Sequence, residues 1–545
     1  MTIPCKNRLY SASSAVLLSI PWIFEGPGWI LLVGFVPLLL LENNLSGLPE
    51  TNSRFVFLNH IAFCFLAWNL LSAWWLGYAT PFGLALFLAL NTFLMSVIWH
   101  LYHLFKRRGN ENLALFFLVS LWLSFEFLHL NWDMQLPGMT LGGAFGNQIK
   151  IVQWYEFTGV LGGSLWVLAV NISIYKLVKL FQHLRKTPFF HLMVALAVLL
   201  LPIVLSLFLY FSYSEKGEKL SFAVLQPNID PYTEKFGEMS PGEQSKILLS
   251  LIDSAKTADV MVGPETALAP FWEDSVCSIP EIQQIKNVIF GFPEKIIILG
   301  ANTKKLLPEN EKTTVTTRFL KDGARYEEYN SALLIDSSPT VRFYHKNILV
   351  SGVEKVPFAR YFGFLKNFFV DLGGTSGGLG SGVPENFTLN DSLQLSVLIC
   401  FESMFGEYLG KRVRQGSHWV VVMTNDGWWK KSAGAGLHFS YSRLRAIEVR
   451  RGIARSANTG YSGFINQRGD VLQKTNGWER GVARGKLRGN ETLTFYSLHG
   501  DYIGRVAILI AALLSLLFIS RRIKEKSVLT LPIDKASGPT RPPVG

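Results

Sequence analysis

Up to about residue 212 the chain alternates long apolar stretches with short polar breaks. The pattern predicts membrane helices near 11–24, 28–42, 55–76, 82–104, 113–131, 161–181 and 190–212. A perpendicular span takes roughly 20 apolar residues, so the first two stretches are short and fit either two crossings or a re-entrant hairpin. Lys6 and Arg8 ahead of the first stretch also fit the charged start of a signal peptide. No small-residue cleavage site follows, and six further spans favour a retained anchor. From about 218 to 495 the pattern changes to short β-branched runs: Phe222–Leu225, Val260–Val262, Ile296–Leu299, Ala332–Ile335, Leu395–Ile399 and Trp419–Met423. Helical stretches lie between some of them, notably Leu437–Gly452. Such runs read as buried strands of a layered α/β domain. An eighth apolar run, Tyr502–Ser520, ends on a basic flank, and a Pro-, Gly- and Ser-rich tail follows. The expected division is a membrane domain over 1–217, a soluble domain over 218–495, a last span over 496–526 and a disordered tail over 527–545.

Composition agrees with this division: 49% of residues are apolar and 13% aromatic. The net charge of +12 raises the question of nucleic acid, and its placement answers it. Lys106-Arg107-Arg108, Arg185-Lys186 and Arg521-Arg522-Ile523-Lys524 all flank apolar segments, and no zinc-finger, RNA-binding or basic-helix pattern is present. The positive-inside rule then places both termini in the cytoplasm and residues 218–495 outside it. The four cysteines are scattered without metal or CxxC spacing, and the ten histidines form no HExxH, so no metal or cofactor is expected. His100 and His103, at the end of an apolar helix, fit an interfacial role. Glu126 is the main charge inside an expected span. The glycine-rich stretch Gly373–Gly380 lacks the Gly-Lys-Ser/Thr ending of a phosphate loop and reads as a flexible loop.

Three motifs sit at the ends of β runs: Val262-Gly-Pro-Glu265, Tyr344-His-Lys346 with Glu354 eight residues on, and Val397-Leu-Ile-Cys400-Phe-Glu402. Singly each has a bland reading, Cys400 as a core thiol, Glu265 as a turn residue and Lys346 as a surface lysine. Together they suit acyl chemistry. A thiol with a pKa near 8.5 needs a neighbouring base, and a lysine and the backbone N–H of Phe401 would stabilise an oxyanion.

The order Glu…Lys…Cys resembles the carbon–nitrogen hydrolase (nitrilase) superfamily. So do Gly300-Ala-Asn302, Tyr329-Asn-Ser331, Thr424-Asn-Asp-Gly-Trp428 and Arg455-Ser-Ala-Asn-Thr-Gly460. With seven spans before the domain and one after, the whole chain resembles the apolipoprotein N-acyltransferase family of bacterial inner membranes. The resemblance implies an α-β-β-α sandwich facing the periplasm. It implies a phospholipid acyl donor, usually phosphatidylethanolamine, a diacylglyceryl-cysteine apolipoprotein acceptor and a cysteine thioester between them. It assigns Glu265 as general base, Lys346 as oxyanion stabiliser and Cys400 as nucleophile, with Glu354 and Glu402 in support. The family's Leu-Val-Pro-Phe-Gly-Glu reads Leu349-Val-Ser-Gly-Val-Glu354 here, Phe401 replaces a frequent tyrosine, and Phe236 stands where a tryptophan is common. Phe236 is therefore expected at the lipid, together with an aromatic stretch containing Phe358, Tyr361, Phe364 and Phe368 that suits an interfacial arm or a core helix. Two other readings stand beside this one: a membrane-tethered amidase or nitrilase acting on a small amide, and an inactive scaffold or transporter.

Overall fold

The computed structural model describes residues 3–46, 49–184, 188–358, 378–389 and 392–529. The expected arm residues Tyr361, Phe364 and Phe368, most of the Gly373–Gly380 loop and the tail from 530 on lie outside the described residues.

The membrane region comprises α1 (Ile3–Ile23), α2 (Leu31–Gly34), α3 (Val36–Leu45), α4 (Glu50–Ala73), α5 (Leu76–Ala79), α6 (Pro81–Lys106), α7 (Glu111–Asn131), α8 (Tyr155–Leu184) and α9 (Phe189–Ser212). Among the described residues seven segments are long and apolar enough to cross a membrane: Gly28–Leu45, Ser53–Ala73, α6, α7, α8, α9 and Tyr502–Arg521. The first predicted span is a helix of 21 residues but is not among them, because Lys6, Asn7, Arg8 and a run of serines dilute its apolar content. The protein is thus a multi-pass membrane protein.

Charged side chains gather at one end of this bundle. Lys106 bonds buried Glu42 at 2.5 Å and Lys179 bonds Glu111 at 2.7 Å. His103, in the last turn of α6, has a fully buried ring, with Nδ1 2.9 Å from Glu42. Buried charge in the bundle therefore includes Glu42 as well as Glu126. Glu126 accepts hydrogen bonds from the Trp122 indole at 2.9 Å and from the Leu141 N–H at 3.0 Å.

The opposite end of the bundle carries the soluble domain. Its first strands are β1 (Lys219–Gln226), β2 (Val260–Val262), β3 (Leu268–Trp272), β4 (Ile296–Leu306), β5 (Arg318–Phe319), β6 (Arg325–Ile335) and β7 (Arg342–His345). They continue with β8 (Phe387–Thr388), β9 (Gln394–Ile399), β10 (Ser417–Thr424), β11 (Gly452–Ala457), β12 (Gly463–Ile465), β13 (Val471–Lys474) and β14 (Gly481–Arg488). One sheet runs β14-β1-β2-β4-β6-β5, with β3 on β4 and β7 on β6; the other runs β13-β12-β11-β10-β9-β8. Alternate residues of a strand face opposite sides. Phe222, Val224, Val262 and Ile298 meet Val397, Trp419, Val421 and Phe464 between the sheets. Ala223 and Leu225 face outward and pack with Leu248 and Ile252 of α10 (Pro241–Ala255) and Ile282 and Ile285 of α11 (Pro280–Phe290).

On the second sheet Leu398, Val420 and Val422 face α12 (Gly406–Arg414) and α13 (Ala433–Val449), joined by Leu130 and Leu161 of the membrane helices. This is the expected α-β-β-α order. Because both faces of these strands are covered, they read as continuous apolar runs. The expected helix over Leu437–Gly452 ends earlier, at Val449, where Arg450 turns left-handed at φ 51° and Gly452 opens β11. Arg450 then reaches Glu156 at 2.7 Å, and Glu448 accepts the Val160 N–H at 3.1 Å, both at the start of α8. After α14 (Phe495–His499), α15 (Tyr502–Leu529) extends three residues into the segment expected to lack structure.

Candidate active site

Glu265 follows β2 and Lys346 follows β7 in one sheet, while Cys400 follows β9 in the other. Both sheets therefore deliver a polar residue to the same edge of the sandwich. Gly300 permits the approach at Glu265, since a Cβ there would lie 2.8 Å from the Glu265 Cα and 2.6 Å from the Pro264 oxygen. Glu265, Lys346 and Glu354 are all nearly buried. The Lys346 ammonium donates to Glu354 Oε1 at 2.8 Å and to Glu265 Oε1 at 3.3 Å. Asn330, in the middle of β6, bridges the same two oxygens at 3.1 and 2.7 Å. The Asn425 N–H binds the other Glu265 oxygen at 3.1 Å, and the Val350 N–H binds the other Glu354 oxygen at 2.8 Å. Burial opposes the Lys346 charge, yet Glu354 and Glu265 together more than offset it and raise its pKa. Lys346 is therefore a fixed cation. It suits stabilising negative charge and does not suit taking up a proton.

Cys400 has φ 50°, a left-handed conformation unusual for a side chain with a Cβ. Two groups of contacts hold this turn. Glu402 accepts the Ile399 N–H at 2.8 Å through one oxygen; through the other it accepts Tyr344 Oη and the Asn347 N–H, both at 2.7 Å. It thus ties the cysteine strand to the lysine loop. Beneath the turn, Ser403 Oγ donates to the Cys400 carbonyl at 2.7 Å and lies 2.8 Å from His438 Nε2. His438 Nδ1 lies 2.8 Å from Asp426, which Arg455 holds at 2.9 Å. Burial pushes the Cys400 thiol up, Glu265 adds to the rise and Lys346 pulls it back, so the resting sulfur carries its proton. Behind Glu265, the Lys235 ammonium bonds Thr266 Oγ1 at 2.5 Å, and burial lowers its pKa to about 8 against the pull of Glu265.

Glu265, Lys346, Glu354 and Cys400 line one chamber of about 310 Å³. Its other walls are largely apolar and come from both halves of the protein. Trp22, Trp75 and Phe87 are contributed by the membrane helices, and Phe236, Phe401, Met404, Trp428 and Trp429 by the soluble domain. Phe236 stacks on Trp428, ring centres 6.0 Å apart. Phe358 instead sits at the end of α7, its ring 6.3 Å from Trp132 and its N–H on Asp133 at 2.7 Å, and it is not among the described residues lining the chamber. The sequence reading assigned no role to Asn330, Asp426, His438 or Arg455. Asn330, Asp426 and Arg455 lie inside motifs that were recognised; His438 belongs to none.

Buried Glu265 and Lys346 beside the partly buried Cys400, at the sheet edge of an α-β-β-α sandwich, define a membrane-embedded protein of the nitrilase class. Residues 14–173 match the apolipoprotein N-acyltransferase N-terminal domain and residues 222–492 match the carbon-nitrogen hydrolase family. The chain is 28% identical over 514 residues to an apolipoprotein N-acyltransferase of Chlorobaculum tepidum, covering 91% of this chain and 92% of that one. It is 25% identical over 535 residues to one of Geobacter metallireducens, covering 95% and 96%. Among solved structures it is similar to a variant of the Nesterenkonia AN1 amidase from the nitrilase superfamily. That match has 14% identity, a TM-score of 0.35 and coverage of 53% of this chain and 97% of the amidase. The chain belongs to the apolipoprotein N-acyltransferase family.

Proposed function

We propose that this protein moves a fatty acyl group from a phospholipid to the N-terminal α-amino group of diacylglyceryl-cysteine apolipoproteins, the last step of their maturation. One observation carries the reading: the apolar chamber runs from Cys400 to side chains of the membrane helices. Such a chamber, walled partly by membrane helices, suits a lipid chain entering from a bilayer better than a small polar amide.

In the first half-reaction Glu265 takes the Cys400 proton and the sulfur attacks an ester carbonyl of the phospholipid. Lys346 and the Phe401 N–H stabilise the oxyanion. The tetrahedral adduct collapses, and the departing lysophospholipid oxygen takes the proton from Glu265, leaving a thioester. In the second, the α-amine attacks the thioester, the Cys400 sulfur leaves, and Glu265 relays the surplus amine proton to it. Glu354 positions Lys346, and Glu402 holds the Cys400 turn. Phosphatidylethanolamine is the proposed donor. The basic bundle end lies opposite the soluble domain, which supports cytoplasmic termini and a periplasmic site in the inner membrane of a bacterium.

The test is an assay with defined phosphatidylethanolamine and a diacylated lipopeptide, read by mass spectrometry. The expected result is a lipopeptide heavier by one acyl group, with lysophospholipid in equal amount. Steady release of free fatty acid without an amine acceptor would instead identify a hydrolase.

A further inference from the structure

Two exposed lysines, Lys430 and Lys431, directly follow Trp428 and Trp429, which line the chamber where it meets the surface loop. Lys430 adopts φ 50° and ψ −152°, a strained backbone for a residue with a side chain. Its ammonium lies 4.9 Å from the ring centre of Tyr78, at the end of α5, and 5.6 Å from that of Tyr232. Tyr232 Oη in turn bridges the backbone oxygens of Tyr78 and Trp428 at 3.0 and 2.9 Å, so this contact joins the membrane helices to the soluble domain. The Lys431 ammonium lies 6.0 Å from the ring centre of Trp478.

The carboxylates nearby are engaged elsewhere. Asp230 accepts the Tyr232 N–H at 2.8 Å, Glu234 accepts the Asp230 N–H at 2.8 Å, and Glu25 lies against Gly436. The lysines also precede the N-terminus of α13, 17 residues long, capped by Ser432 and without an acidic residue in its first turn. Two consecutive cations, set against different aromatic rings, and a positive helix end thus follow the chamber-lining tryptophans, a composition that suits a lipid headgroup level.

We infer that Lys430 and Lys431 form a phosphate subsite that takes the phosphodiester of the acyl donor. The inference rests on the phospholipid-donor reading above. It fixes an orientation: with the phosphate on the lysines, the glycerol esters a few bonds away point into the chamber toward Cys400. It also separates the two substrates, because the diacylglyceryl-cysteine acceptor has no phosphate. The lysines therefore serve the first half-reaction only.

Transfer through a thioester lets the half-reactions be measured apart in the full-length enzyme. The variant Lys430→Gln/Lys431→Gln is expected to lose about tenfold in kcat/KM for phosphatidylethanolamine, the size of two partly solvated charge contacts. Its kcat/KM for lipopeptide should stay within about twofold of wild type, which also shows that it is folded. With diacylglycerol as donor, which keeps the esters and lacks the phosphate, variant and wild type should acylate at the same rate. Lys430→Arg/Lys431→Arg should retain most of the phospholipid rate. Unchanged donor kinetics, or an equal loss with phospholipid and diacylglycerol, would overturn the subsite. If the wild type itself is not acylated by phospholipid, the donor reading falls instead.

Discussion

Replacing Cys400 with alanine is expected to lower N-acyl transfer by about four orders of magnitude or more, the scale seen when a covalent nucleophile is removed. Cys400 lines the chamber and the residue is only partly buried, so the same variant should unfold within a few degrees of wild type. Cys277 is the control. It lies exposed beside the Pro339 carbonyl, away from the chamber, and Cys277→Ala should retain full rates. Initial rates and thermal unfolding of the two variants check both statements. Comparable activity in Cys400→Ala and Cys277→Ala would remove the nucleophile from the account.

Lys346→Met should lose activity and stability together. Lys346 is the shared cation of two buried carboxylates, and removing it leaves Glu265 and Glu354 facing each other across Asn330. Breaking a buried pair from one side costs about 3–5 kcal/mol, so a clear drop in unfolding temperature is expected along with a loss of turnover. The two effects have separable causes. Adding Glu354→Gln to Lys346→Met neutralises one of the stranded carboxylates and should restore part of the stability. It should restore no activity, because the oxyanion donor is still missing. A double variant that regained turnover would show that Lys346 serves the fold alone.

The six strands read from the sequence were legible because each is covered on both faces and carries few polar residues, whereas the more exposed β3, β5 and β13 show no such run. Phe222–Leu225, Ile296–Leu299 and Trp419–Met423 all fall inside strands. Their division into two sheets depends on long-range pairing, which period alone does not encode. Glu265, Lys346 and Cys400 stood out because each lies within three residues of a strand end, and the chemistry of the three types is coherent. Asn330 was harder to see: it lies in mid-strand, and its bonds run to residues 65 positions earlier and 24 later. The Ser403–His438–Asp426–Arg455 chain was missed for a related reason. It assembles from β11, α13 and two separate turns and touches the nucleophile only through a backbone oxygen.

In the membrane region the apolar pattern located the spans, while the polar pairs within them went unread. Glu42 looks like a helix-end residue until the fold brings His103 and Lys106 against it. The early end of the helix before Arg450 has a similar origin. Local pattern continues to Gly452, but Arg450 turns aside to reach Glu156 on a membrane helix. Phe358 shares the aromatic character of its neighbours, yet its place is set by Asp133 and Trp132 at the end of α7.

The central claim is that Cys400 carries the acyl group between the two lipids. It is tested most directly by incubating the wild-type enzyme with phosphatidylethanolamine alone and measuring its intact mass. The expected spectrum gains the mass of one acyl chain. Hydroxylamine should remove that gain and release the chain, a lipopeptide acceptor should discharge it into N-acyl product, and Cys400→Ala should not show it. A wild-type enzyme that turns over both substrates without ever gaining that mass, or an adduct that persists in Cys400→Ala, would contradict the account.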